Sequence, residues 1–254
     1  MRFASLGSGS AGNALLVESG CTLLMVDCGF GLRESLSRLA RLGRSPSELT
    51  GIFVTHEHGD HLGGVWRLAR KFDIPIWMTH GTWMASAEPD LGLRLSIIDS
   101  DHPLRVGALE VLPFPVPHDA REPVQYLFSD GRRRLGVLTD IGEVTSHVCS
   151  LLSGCHGLVL ECNHDAAMLA ASSYPASVKR RIGGRMGHLD NAAAASLLEQ
   201  IDCSSLQHVV AAHLSERNNR PELAVAFLAR ALGDSDGRIT VASQGEGLSW
   251  TELT

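Results

Sequence analysis

The sequence predicts an α/β protein in which two β-rich halves pack their sheets face to face and carry their helices outside. Three observations lead there. Short apolar or alternating runs separated by Gly-rich turns open the chain at Arg2–Leu6, Ala14–Glu18 and Thr22–Val26, the pattern of a β-meander. Strand and helix periodicities then alternate to the end of the 254 residues. A hydrophobic fraction of 44% allows one large core or two small ones, and because no Pro/Gly/Ser-rich linker divides the chain it reads as one domain over residues 1–254.

In order along the chain, Leu32, Leu36, Leu39 and Leu42 recur at helical spacing. Ser45-Pro46-Ser47-Glu48 reads as a capping box with proline in the first turn. Gly51–Val54 is a short apolar strand, Leu62, Val65, Trp66, Leu68 and Ala69 mark one amphipathic helix, and Ile74–Met78 is a strand. Further strands are expected near 109–114, 125–129, 135–139, 157–161, 207–212, 238–242 and 247–252, with helices near 144–153, 191–201 and 221–232. Arg132-Arg133-Arg134 follows Ser129-Asp130-Gly131 between two apolar runs and reads as a solvated hairpin turn. Asp165 suits the N-cap of a helix through Ala166–Ala170.

Composition excludes some partners. The formal charge of −6 argues against a generally basic nucleic-acid coat, while leaving room for a local basic channel. The densest basic segment is Lys179-Arg180-Arg181-Ile182-Gly183-Gly184-Arg185, just before Gly187-His188. Six cysteines, at 21, 28, 149, 155, 162 and 203, form no C-x-x-C pair and read as small core residues in a reducing cytoplasm. The first residues lack a long apolar core and no run of about 18 apolar residues occurs, so neither export nor a membrane span is expected.

The chemistry concentrates in Thr55-His56-Glu57-His58-Gly59-Asp60-His61, where three imidazoles and two carboxylates follow the apolar strand. That reads as a metal site at a strand end rather than a polar loop that happens to be rich in histidine. Neutral histidine nitrogens and an ionised aspartate suit divalent zinc, manganese or iron, and Gly59 calls for a turn that fans the side chains out. A zincin helix would need two histidines four apart on one face, whereas here they lie two and five apart. Three more polar residues end apolar strands: His118 after 111–117, Asp140 after 135–139 and His213 after 208–212. Each suits a ligand or a hydrogen-bonded loop residue.

The H-x-H-x-D-H signature resembles the metallo-β-lactamase superfamily of hydrolases, which implies an αββα sandwich. Carried over by position, the resemblance gives His56, His58 and His118 to one metal and Asp60, His61 and His213 to the other. Asp140 bridges them, and Asp27, after Leu23–Val26, orients the ligand loop by hydrogen bonding. The implied cofactors are two divalent ions, zinc or manganese, and with two ligand aspartates the centre stays cationic and favours an anionic substrate. The motif has no cysteine, which disfavours an antibiotic-hydrolysing enzyme.

Further segments, Ser8-Gly9-Ser10-Ala11-Gly12-Asn13, His118-Asp119-Ala120, Glu161-Cys162-Asn163-His164-Asp165, Gly187-His188-Leu189-Asp190-Asn191 and His213 to Asn219, resemble the WalJ/YycJ-type branch nearly end to end. That branch implies double-stranded DNA 5′-to-3′ exonuclease activity and DNA repair, with kinship to tRNA 3′-processing ribonucleases and ribosyl cyclic-phosphate phosphodiesterases. In the tRNA-processing relatives a strand-end glutamate and a later loop histidine assist the leaving oxygen, and Glu161 and His188 occupy matching places. The expected reaction is in-line attack of an activated water on phosphorus, oriented by Asp60 or Asp140, with His188 protonating the departing oxygen. Lys179, Arg180, Arg181 and Arg185 would hold neighbouring phosphates of DNA. The alternatives are hydrolysis of a small cyclic phosphodiester and a metal-stabilised binding module without turnover. A thioester or lactone hydrolase shares the metal motif but has no need of Glu161 with His188. The sequence leaves the oligomeric state open.

Overall fold

The expected meander forms the start of a seven-stranded sheet: β1 (Arg2–Gly7), β2 (Ala14–Ser19) and β3 (Thr22–Val26) are antiparallel, and β4 (Gly51–Phe53), β5 (Ile76–Thr79) and β6 (Leu95–Ile98) continue parallel to β3. The computed structural model describes residues 1–86, 92–233 and 237–254. A second seven-stranded sheet repeats the plan. There β7 (Leu104–Val106), β8 (Leu109–Pro115), β9 (Val124–Ser129) and β10 (Arg134–Leu138) are antiparallel, and β11 (Gly157–Glu161), β12 (His208–Ala212) and β13 (Ile239–Val241) run parallel to β10. β14 (Leu248–Glu252) returns to pair with β1.

The helices are α1 (Leu32–Arg41), α2 (Gly59–Leu62), α3 (Val65–Phe72), α4 (His80–Ala85), α5 (Ser146–Leu152), α6 (Ala166–Ala171), α7 (Ala176–Ile182), α8 (Asn191–Gln200) and α9 (Pro221–Leu232). Strand alternation assigns them their faces. In β3, Leu24 and Val26 enter the core between the sheets with Phe53, Tyr126, Phe128 and Val159, while Leu23 and Met25 enter the core shared with α1 and α3. The outer face of the second sheet is covered by α5, α8 and α9 through Val148, Leu198 and Leu228. Strands buried on both faces lose a visible polar alternation, which is why they read as apolar runs. The result is the αββα sandwich that the resemblance implies.

Several elements depart from expectation. The single helix over Leu62–Ala69 is two, because Gly63 and Gly64 interrupt it and the Gly64 amide donates to Cys28 O (2.7 Å). β5 begins at Ile76, after Pro75, which has no amide for the ladder. β6, β7, α4 and α7 lacked a usable period: β6 is a sheet edge with Ser96 and Ile97 exposed, and α7 buries none of its residues. The capping box of Ser45 and Glu48 closes a 3₁₀ turn, Pro46–Glu48. The Arg132–Arg133 amides donate to Asp130 Oδ1 in the expected hairpin turn. All six cysteines are free; Cys28, Cys155 and Cys162 are buried, but Cys21 is exposed between β2 and β3, so the core reading fails for it. Among the described residues no helix is long and apolar enough to cross a membrane.

Candidate metal centre

The carboxyl ends of the strands meet at one place. β3 ends into Asp27, β4 into Thr55 and His56, β8 into His118, β10 into Asp140, and β12 into His213, while Glu161 is the last residue of β11. The parallel register sets Glu161 beside Ala212, so His213 follows at the level of Cys162. Asp27, Asp140 and His213 adopt left-handed backbone (φ 58°, 50° and 55°), a conformation that non-glycine residues adopt at a cost. The positive φ turns each chain sharply at its strand end.

α2 is one helical turn that carries Asp60 and His61, so the expected fan of ligands is made by a strand end followed by a helix start. Close approach fixes this loop: a Cβ on Gly29 would lie 1.9 Å from Asp60 O. His56, His58 and His118 bring ligand atoms within 4.8 Å of one another, as do Asp60, His61 and His213, and Asp140 forms a third such group with His56 and His61. Asp140 Oδ2 lies 3.0 Å from His61 Nε2, and its Oδ1 lies 3.4 Å from His213 Nδ1 and 3.9 Å from His118 Nε2. It therefore stands between the two triads. Glu57, the remaining polar residue of the motif, lies outside these groups and accepts the Arg121 amide (2.8 Å).

Nδ1 of four histidines is occupied from behind. His61 Nδ1 donates to Asp27 Oδ2 (2.8 Å), and Asp27 also takes the Thr55 hydroxyl and amide, each at 2.8 Å. His56 Nδ1 donates to Thr55 Oγ1 (3.0 Å), His118 Nδ1 to Gly187 O (3.0 Å) and His213 Nδ1 to Glu161 Oε1 (2.9 Å). In the neutral ring each Nε2 is thereby left as a lone-pair donor. His58 differs, presenting Nδ1 to the cluster 3.4 Å from His118 Nε2. Nε2 of His56 and of His213 are buried without a hydrogen-bond partner. Orphaned, oriented nitrogens among carboxylates are the donor set that a divalent cation needs, so the residues fit such ions.

Charge is uneven across the cluster. Burial holds His56 and His118 below the ordinary imidazole range, reinforced at His56 by His61. At His213 burial also opposes charge, but Asp140, Asp60 and Glu161 outweigh it and push the imidazole up to about 10. Asp60 is held well below the carboxylate range against burial by His213 and His61.

His188 arrives on the excursion from Asp165 to Leu189. The two ends of this excursion are tied where Asn163 N donates to Leu189 O (3.0 Å) and Asn191 N to His164 O (2.9 Å). His188 Nδ1 donates to Glu161 Oε1 (2.9 Å), and its side chain is 22% exposed, which places it at the rim. Gly187 must be glycine, since a Cβ there would lie 2.1 Å from Arg181 O. Glu161 itself is fully buried, its other oxygen accepting the Ile141 and Leu189 amides (3.0 and 3.1 Å). It positions His188 and His213 from below. Burial opposes its charge, yet His188 and His213 hold it down at about 2.

The basic segment is spread out. Lys179 Nζ donates to Ala170 O, Arg181 pairs with Asp119 (2.5 Å), Arg185 pairs with Glu143 (2.6 Å), and Arg180 is exposed on α7. Of these, Arg181 shares a groove with His188.

Three supporting residues had no evident role in the sequence. Asn13 Nδ2 lies 3.2 Å from His61 Nε2 and 3.4 Å from Asp60 Oδ2, Ser8 Oγ accepts the His213 amide (2.8 Å), and Thr55 links Asp27 to His56. The Gly-rich loop Ser8–Asn13 is therefore a buttress of the cluster, a role that its neighbours in space and not its spacing reveal.

Residues 22–214 match the family model described as Beta-lactamase superfamily domain, and the chain belongs to that superfamily, in its metallo-β-lactamase fold. Among its relatives, the chain is 35% identical over 238 residues to the exodeoxyribonuclease YycJ of Bacillus anthracis, covering 91% of this chain and 89% of that one. It is 32% identical over 240 residues to the exodeoxyribonuclease WalJ of Streptococcus pneumoniae serotype 2 (strain D39), covering 92% and 89%. Its fold is similar to that of Zn²⁺-bound PqqB from Methylobacterium extorquens, with a TM-score of 0.75 at 17% identity and full coverage of both chains.

Proposed function

We propose that the chain is a single hydrolase domain acting as a dinuclear metal-dependent exodeoxyribonuclease. His56, His58 and His118 would hold one divalent ion, Asp60, His61 and His213 the other, with Asp140 shared between them. Zinc and manganese both suit the imidazole and carboxylate donors. When bound, such a pair supplies charge neutralisation at phosphorus and a water made nucleophilic at neutral pH. The protein supplies the rest. Asp60, with its side chain 24% exposed at the opening, can take a hydrogen bond from the attacking water and orient it. His188, with Nδ1 committed to Glu161, has Nε2 left to hand a proton to the departing oxygen.

The observation that carries the reading is His188 on its buried Glu161 beside a seven-residue ligand cluster, in a chain collinear with two relatives named exodeoxyribonucleases. Those relatives favour DNA over a small cyclic phosphodiester, and a complete ligand set with a rim histidine disfavours a binding module. The six unpaired cysteines suit a reducing compartment, and we assign the activity to the cytoplasm. The test offers metal-reconstituted protein 5′-phosphorylated duplex DNA, RNA and a ribose cyclic phosphate side by side. Release of mononucleotides from the 5′ end of DNA is the expected result; turnover of the cyclic phosphate alone would replace the nuclease reading.

A further inference from the structure

The excursion that delivers His188 does more than hold one histidine. A groove of about 240 Å³ lies against it, walled by Tyr174, Val178 and Ile182, with Asp119 and Arg181 as its charged lining and His188 also lining it. The excursion also carries Val178 (37% exposed) and Met186 (51%), two of the four large hydrophobic side chains exposed among the described residues. Apolar side chains kept in water beside a reaction site mark a contact surface. Tyr174 has the Arg217 guanidinium 6.0 Å from its ring. An aromatic surface next to cations is how proteins hold unpaired bases, because every base offers a π-face and every linkage a charge.

We propose that this groove receives the nucleobase of the nucleotide being released, with Tyr174 as its stacking surface and Arg181 as the contact for an adjacent phosphate. The inference rests on the nuclease reading above. Size supports a single base: the groove is smaller than the roughly 300–1,000 Å³ of sites for drug-sized ligands, and a duplex does not enter it. The terminal nucleotide must therefore leave its stack before it is cut, at the expense of its pairing. Arg181 can serve a phosphate by exchanging one anionic partner, Asp119, for another. A consequence is that frayed or mismatched ends are better substrates than G·C-paired ends.

The experiment measures kcat/KM of the metal-reconstituted full chain on duplex DNA whose terminal nucleotide is normal, mismatched or abasic. Losing a base–aromatic stack costs on the order of tenfold, so Tyr174→Ala is expected to fall by about that factor on the normal end, with Tyr174→Phe restoring most of it. On the abasic end wild type and Tyr174→Ala should be equal, and the mismatch advantage should shrink in Tyr174→Ala. A loss in Tyr174→Ala that persists undiminished on the abasic end, or DNA cleavage by Tyr174→Ala equal to wild type, overturns the base subsite. If wild type cleaves no DNA, the nuclease reading falls and the groove's role with it.

Discussion

Two buried carboxylates support the centre from opposite sheets, and they do so differently. Asp27, at the end of β3, takes the Thr55 amide and hydroxyl and steadies one candidate ligand, His61. Glu161, at the end of β11, takes the Ile141 and Leu189 amides and steadies two histidines, His213 inside the cluster and His188 at its rim. Asp27 carries left-handed backbone strain, whereas Glu161 lies in an ordinary strand register. In the proposed reaction one sheet would thus fix where an ion sits, and the other would fix the ion together with the proposed proton donor, His188. Removing the two supports should separate metal affinity from chemistry.

The largest effect is expected at the residue common to both sides. Asp140→Asn should lose most activity and lower the metal content from about two ions per chain, because two three-residue sites need the shared carboxylate. Elemental analysis after saturation with zinc or manganese reads this directly. A wild-type stoichiometry of one ion would remove the dinuclear assignment.

Glu161→Gln comes next. An amide offers one acceptor oxygen where the carboxylate serves four donors, so buried N–H groups lose partners at about 1–3 kcal/mol each. Metal affinity and turnover should fall together, and so should the thermal midpoint. His188→Ala should keep its metal and lose about 10²–10⁴-fold in turnover, the range of a general acid, with partial rescue by a substrate whose leaving group is already activated. Metal lost from His188→Ala would make it a ligand. Asp27→Asn should cost less, about 10–100-fold in metal affinity, with near-normal turnover once the ions are saturating. Equal kinetic defects in saturated Asp27→Asn and Glu161→Gln would erase the distinction between the two supports.

The same contrast explains what the sequence discloses. On the first sheet the candidate ligands fall within one short run after one strand, since a strand end followed by one turn of helix can present His56, His58, Asp60 and His61 together. On the second sheet, Asp140, Glu161 and His213 are visible as polar ends of apolar strands, but that they meet is a property of parallel register. The supporting contacts of Ser8, Asn13 and Thr55 are set by packing between loops far apart in the chain. α7 was not legible as a helix because none of its residues is buried, leaving no apolar period to read. Cys21 shows the converse limit, a residue type usually buried standing in an exposed turn.

The smallest effects are expected at the rim, where the basic residues already have partners. Arg185 is 84% exposed and bound to Glu143, itself 43% exposed, so its reversal removes one weak surface pair and leaves two solvated carboxylates free to move apart. Arg181 is also exposed, but it shares the groove with His188 and should matter more. Arg181→Glu is expected to raise KM for DNA several-fold at about 50 mM salt and Arg185→Glu less, both converging on wild type near 200 mM as phosphate contacts are screened. Each phosphate contact truly lost should reduce the slope of log affinity against log salt by about one, while metal content stays at the wild-type value. An unchanged slope in the double variant would show that DNA is held by groups other than Arg181 and Arg185, and both would then be solvated surface residues.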